Sequence, residues 1–311
     1  MKMKFDAEGL RRTQPDPFIF EDGGKFYMYV SAMYESKGVE AYCADDLFGE
    51  FRYIGVVTET EGCHDFWAPS VIRYEGKYYM YTSFRAPGVN INQPMYVLSA
   101  DRPEGPFTNA KRLYDEFSID SHAVATEAGL FLWYAKDNRE HEKVGTRVYI
   151  DRLIDPYTPA YEPREMILPD FPEEKFTPQC NENGDWYTIE GAFWFREGEW
   201  QYLMYSGGCY QDDTYHIGYA TAKSDEADLT RVDFVKHTDG GKFAPVIIKN
   251  DFEEGTGHHS VIKYKGEYYA IYHGRDYGAL TDGYREARTA RICRLTVKDG
   301  IITAERYPDR V

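Results

Sequence analysis

Glu190 stands in the run WYTIEGAFWF, with aromatic and apolar residues on both sides. An ionised carboxylate is costly in such surroundings unless it is paired or used. A carboxyl group kept protonated there could serve as an acid; the plain alternative is a turn residue beside Gly191. Asp16 in QPDPF and Asp120 in SIDSHA raise the same question. One carboxyl held ionised near another held protonated is what paired base and acid catalysis requires. Trp67 in DFWAPS offers a flat apolar face with a polar edge, and His258 in GTGHHS a ring that can orient neighbours or bind a metal. Taken singly, each has an ordinary reading: an Asp before Pro in a turn, a cap, a core tryptophan, a satisfied core histidine.

Residues so far apart can meet only if a repeat brings them together. A Gly-centred hairpin flanked by aromatic alternation recurs as PFIFEDGGKFYMYVS (17–31), SVIRYEGKYYMYTS (70–83), AVATEAGLFLWYAK (123–136), GAFWFREGEWQYLMYSG (191–207) and SVIKYKGEYYAIYHG (260–274). Each reads as strand, tight turn, strand. The turn glycines Gly24, Gly76, Gly129, Gly198 and Gly266 are 52, 53, 69 and 68 residues apart, the period of a four-stranded propeller blade. The expectation is an all-β fold, a five-bladed β-propeller, with residues 1–311 forming one domain. Segments 94–107, 215–224 and 290–308 read as outer strands. A β-sandwich also has many short strands, but does not predict five similar hairpins at these intervals. Eight or nine residues before the turn glycines stand Asp16, Trp67, Asp120, Glu190 and His258. That is the start of each innermost strand, and in a propeller those starts converge on the axis. The five side chains are expected to share one pocket.

The chain of 311 residues is ample for a sizeable core, and its 28 Tyr, 18 Phe and 5 Trp suit aromatic strand packing. The formal charge of −16 argues against nucleic acid or an anionic membrane as partner, and favours neutral over phosphorylated substrates. The five cysteines are widely spaced, with no CxxC, so neither a disulfide framework nor a zinc site is indicated. The N-terminal stretch MKMKFDAEGLRRTQPDP has no apolar segment of signal-peptide length. A cytoplasmic location is expected.

The segments DPF at 16, WAPSVIRYEGKYYMYTS at 67, ID at 119, EGAFWF at 190, GTGHHSV at 255 and YHGRD at 272 resemble, in order and spacing, those of glycoside hydrolase family 43. The similarity is to its single-domain members, five-bladed propellers that cleave arabinose- and xylose-containing polysaccharides. The resemblance implies Asp16 as general base, Glu190 as general acid, and Asp120 as the residue that orients Glu190 and holds its pKa up. It implies inversion of anomeric configuration, with room for a water between base and sugar. His258 would lie near a calcium or another hard cation on the propeller axis; no organic cofactor is implied. Arg288 would be the pocket arginine, with Arg285 and Arg291 as alternatives. Trp67 would form a wall or floor, with Phe84, and more weakly His64 and Phe66, at the rim. Segments 141–147 and 276–287 would shape the entrance. The implied function is an exo-glycosidase acting on short neutral oligosaccharides, an α-L-arabinofuranosidase with β-D-xylosidase activity. Alternatives are an endo-arabinanase, a non-catalytic carbohydrate-binding propeller, or a related propeller acting on fructosides or by phosphorolysis.

Overall fold

The structure, a computed structural model, describes residues 1–32, 37–182, 184–279 and 286–308. Its strands are rich in Tyr, Phe, Val and Met, which fill pleated surfaces well. Tight turns join them. At Glu75–Gly76 and Lys265–Gly266 both central residues have positive φ, the hairpin geometry that matches strand twist. In the third repeat the turn is Glu127–Ala128, and Gly129 opens the next strand, one residue later than the glycine spacing suggests.

Five innermost strands, Phe18–Asp22, His64–Tyr74, Ile119–Thr126, Tyr187–Glu197 and Glu253–Tyr264, each begin a blade, numbered I to V. Each packs on the next and the fifth on the first, closing a ring. The second strands, such as Lys25–Val30 and Lys77–Arg85, are buried along nearly their whole length because blades cover both their faces. Apolar side chains collect in five clusters, one in each gap between neighbouring blades. The architecture is the expected five-bladed β-propeller.

Two features depart from five independent four-stranded sheets. Blades III and IV join through a parallel pairing of Gly145 and Thr146 with Tyr187 and Thr188. Glycine is needed there, because a Cβ on residue 145 would stand 1.9 Å from the Tyr187 carbonyl oxygen. Residues 1–5 lie between blades V and I. Met3 N–H donates to the Ala290 carbonyl, Ile292 N–H to the Met1 carbonyl, and Lys4–Phe5 runs parallel to Glu50–Val56. Among the described residues no helix is long and apolar enough to cross a membrane.

Candidate active site

One backbone feature recurs where each innermost strand begins. Asp16, Ala68, Asp120, Gly191 and His258 are all left-handed, with φ of 52°, 44°, 59°, 59° and 42°. Each stands eight residues before the second residue of its hairpin turn, respectively Gly24, Gly76, Ala128, Glu199 and Gly266. In blades II to V the residue sits in a break of strand register, a bulge that re-aims neighbouring side chains. A non-glycine residue in this conformation costs on the order of 1 kcal/mol, and aspartate tolerates it better than most. Asp16, Asp120 and His258 thus share one structural position, whereas Trp67 and Glu190 precede it by one residue. All five nevertheless line one cavity of about 350 Å³ at the hub, a size suited to a small ligand.

Asp16 is held from several sides. Its Oδ1 accepts from Arg288 Nη1 at 3.1 Å and its Oδ2 from Ser31 Oγ at 2.5 Å. Ser31 Oγ in turn accepts the Ala68 N–H at 2.6 Å, tying blade I to the left-handed residue of blade II. Nδ1 of His273 lies 3.1 Å from both the amide nitrogen and Oδ1 of Asp16. Burial alone would raise the Asp16 pKa, but the Arg288 guanidinium, the largest opposing influence, pulls it far below the usual carboxylate range. Burial lowers the pKa of His258, and that of His273 to about 4. Both rings are therefore neutral at pH 7, and the permanent cation Arg288 dominates. Asp16 is an ionised carboxylate.

Glu190 has the opposite setting. Burial, together with repulsion from Asp16 and Asp137, pushes its pKa up to about 7 against the pull of the Tyr215 hydroxyl and Arg288. Tyr215 donates to Oε1 at 2.7 Å, and Oε2 has no hydrogen bond to a described residue. Asp120 accepts the Gly191 N–H at 3.2 Å, which joins it to the residue after Glu190. Burial and the charges of Glu190 and Asp16 raise its pKa well above the carboxylate range. Asp120 and Glu190 titrate as a pair that retains a proton near neutral pH.

Trp67 lines the cavity, and its buried indole N–H has no partner among the described residues. Arg288 is buried, hydrogen-bonded to Glu286 and Asp16, and stacked 4.9 Å from the Tyr210 ring centroid. Arg291 lies elsewhere, paired with Glu253 and Asp276; Arg285 falls outside the described residues, as do residues 280–284 of the 276–287 segment.

Phe84 corrects the expectation of a rim residue. It is buried in the gap between blades I and II, stacked on Tyr96 at 3.9 Å and beside Phe66 at 4.8 Å. Its neighbour Ser83 pairs with Trp67, so strand alternation turns Phe84 to the opposite face. Phe66 belongs to the same cluster, and His64 is exposed beside Asp65. Of segment 141–147, Thr146 reaches the cavity, while Lys143 braces the carbonyls of Pro169 and Asp170.

The residues around His258 form no protein cage for a hard cation, so any such ion would be held largely through water. His258 Nδ1 lies 3.6 Å from Asp16 Oδ1 and from Asp120 Oδ2. Among the described residues no three His, Cys, Asp or Glu side chains stand at metal-binding spacing. Calcium takes six to eight oxygen ligands, and the Asp16 oxygens are already engaged.

Sequence reasoning passed over Ser31, His273 and Tyr215. The serine has a signal: the hairpin repeats end in YVS, YTS and YSG. For Tyr215 the signal is indirect. A Cβ on Gly257 would stand 2.0 Å from its ring, so the second glycine of GTGHHS is the space Tyr215 occupies.

The family model for glycosyl hydrolases family 43 matches residues 10–302. A xylosidase/arabinosidase of Bacteroides ovatus is 26 % identical, over 93 % of this chain and 94 % of its own. The crystal structure of a thermostable family-43 glycoside hydrolase superposes with a TM-score of 0.81 at 24 % identity, covering 96 % of this chain and 95 % of that one. The α-L-arabinofuranosidase of Lactobacillus brevis gives 0.77 at 21 % identity, with 96 % of both chains covered. With the match running from before Asp16 to beyond Arg288, this chain belongs to glycosyl hydrolase family 43.

Proposed function

We propose that the protein is an inverting exo-glycosidase that releases terminal arabinofuranose, and secondarily xylose, from short neutral oligosaccharides. The observation that carries this reading is the pair of carboxyls in one cavity, Asp16 kept ionised by Arg288 and Glu190 kept protonatable by its dry setting. The sugar specificities are those named for the Bacteroides ovatus and Lactobacillus brevis proteins.

In this mechanism Asp16 takes a proton from water as the water oxygen attacks the anomeric carbon. The bond to the leaving oxygen breaks, and Glu190 Oε2 delivers its proton to that oxygen. Asp16 ends protonated and Glu190 ionised, and exchange with solvent restores both. Positive charge gathers on the sugar ring in the transition state, where the ionised Asp16 stabilises it. Trp67 offers its ring as a wall against the terminal sugar.

The test is hydrolysis of aryl α-L-arabinofuranosides, aryl β-D-xylosides and the matching oligosaccharides, with the first-formed anomer read by NMR. The expected product is the inverted anomer, lost in Glu190→Gln. Retained configuration, phosphate-dependent turnover, or sugar binding with no hydrolysis would each overturn the reading.

A further inference from the structure

The strand that carries the general acid is preceded directly by a second cavity-lining aromatic residue, Trp186. Trp186, Thr188 and Glu190 all face the cavity. Between them, Ile189 is buried in the core, and the Tyr187 ring lies near Lys143 and Lys175. That alternation is what an extended strand produces. Four residues of extended chain place Trp186 roughly 13 Å outward from Glu190. A single sugar ring standing against the acid does not reach it.

Trp186 is built into its position. Its carbonyl accepts the Phe176 N–H at 2.8 Å, and Lys175 pairs with Tyr187. The Phe176 segment is anchored by Glu174, which is fully buried. Glu174 accepts the Asp170 and Phe171 amides and pairs with Lys236 at 2.7 Å. Arg139, which also lines the cavity, holds its guanidinium over the Trp186 ring, 5.2 Å from the centroid. Among the described arginines it alone has neither a hydrogen bond nor an ion pair with a described residue, although acidic groups outnumber basic ones 52 to 36. A stacked indole and guanidinium in one cavity wall, the latter with N–H donors free of hydrogen bonds to described residues, suit a sugar ring and its hydroxyls.

Glu190 protonates the leaving oxygen, so the leaving group lies on the side of its strand, and Trp186 directly precedes that strand. We propose that Trp186 and Arg139 bind the third sugar unit of the substrate, the second on the leaving-group side, and so select neutral oligosaccharides of three or more units. The inference rests on the glycosidase reading above.

The experiment measures affinity by calorimetry in a Glu190→Gln background, which keeps substrate intact. The probes are the di- and trisaccharides of α-1,5-linked arabinose and β-1,4-linked xylose. The third unit is expected to tighten binding about tenfold, and Trp186→Ala to abolish that gain while leaving disaccharide affinity unchanged. Arg139→Ala should remove part of the gain, and Trp186→Phe should keep most of it. A third unit that adds nothing, or equal losses for both lengths in Trp186→Ala, overturns the proposal. Failure of the glycosidase reading has a separate mark: wild-type protein that leaves disaccharides and aryl glycosides uncleaved.

Discussion

Two sides of one cavity treat the same functional group in opposite ways. On the side of blades V and I, Asp16 faces a permanent cation, a serine hydroxyl and two neutral imidazoles. On the side of blades III and IV, Glu190 and Asp120 face each other with one tyrosine hydroxyl and one backbone amide to offset burial. Burial pushes the pKa upward on both sides, so desolvation does not separate the two roles. The arginine does. Burial raises any carboxyl; a fixed positive neighbour decides which one escapes.

Removing either pole should have the largest effect. Asp16→Asn and Glu190→Gln are each expected to lower kcat by about a thousandfold. The Glu190→Gln loss should shrink with aryl substrates whose leaving group needs little protonation. Steady-state kinetics over a leaving-group series measures this, and a uniform loss would erase the distinction between the two sides.

Next comes Arg288→Ala, expected to cost roughly a hundredfold in kcat/KM. Without the guanidinium the Asp16 pKa rises, so the acid limb of the pH–rate profile should move to higher pH. An unmoved acid limb would mean that the histidines, not the arginine, set the base.

Tyr215→Phe sharpens the other pole. Its hydrogen bond favours the ionised form of Glu190, so its removal should raise the pKa and move the basic limb, placed at about 7, upward by about one pH unit. A purely structural tyrosine would lower activity at all pH values without moving that limb.

The smallest effect is on stability, and its sign differs between the two sides. Asp16 has a depressed folded pKa, so it stabilises the fold above the usual carboxylate range and loses that contribution in acid. Asp120 has a raised folded pKa, so stability falls as pH rises from the usual carboxylate range towards that raised value. Asp16→Asn should therefore lower the melting temperature at pH 7. Asp120→Asn should raise it, by about 1 kcal/mol or roughly 2 °C. Calorimetric melts of both variants across pH decide the matter.

Much of this was legible in the chain. Five hairpins at blade-length intervals specify a ring, and Glu190 in WYTIEGAFWF announces a carboxyl in dry surroundings. What was not legible depends on which way a side chain turns. Phe84 looked available beside the WAPS segment, yet strand parity sends it into the blade I–II gap. Tyr215 sits just before a strand that reads as ordinary outer β-structure, and only the missing side chain of Gly257 shows that its ring needs room. The bulges at the inner strand starts shift parity by one, which no periodicity reveals, and so Trp67 and Glu190 seemed to share a register with residues they precede.

The pairing of residues 1–5 with blade V has a consequence for how the molecule is made. Met1 and Met3 bond to Ile292 and Ala290, so these residues must wait for partners that are made much later in the chain. Until then blade I keeps an open flank, and Met3, Phe5 and Ile19 lack the Ile271 and Ile292 side chains that finish their cluster. Such long-range closure is slow and leaves apolar surface uncovered in the nascent chain. Production of this protein should therefore depend on chaperone supply and translation speed more than its finished stability would suggest.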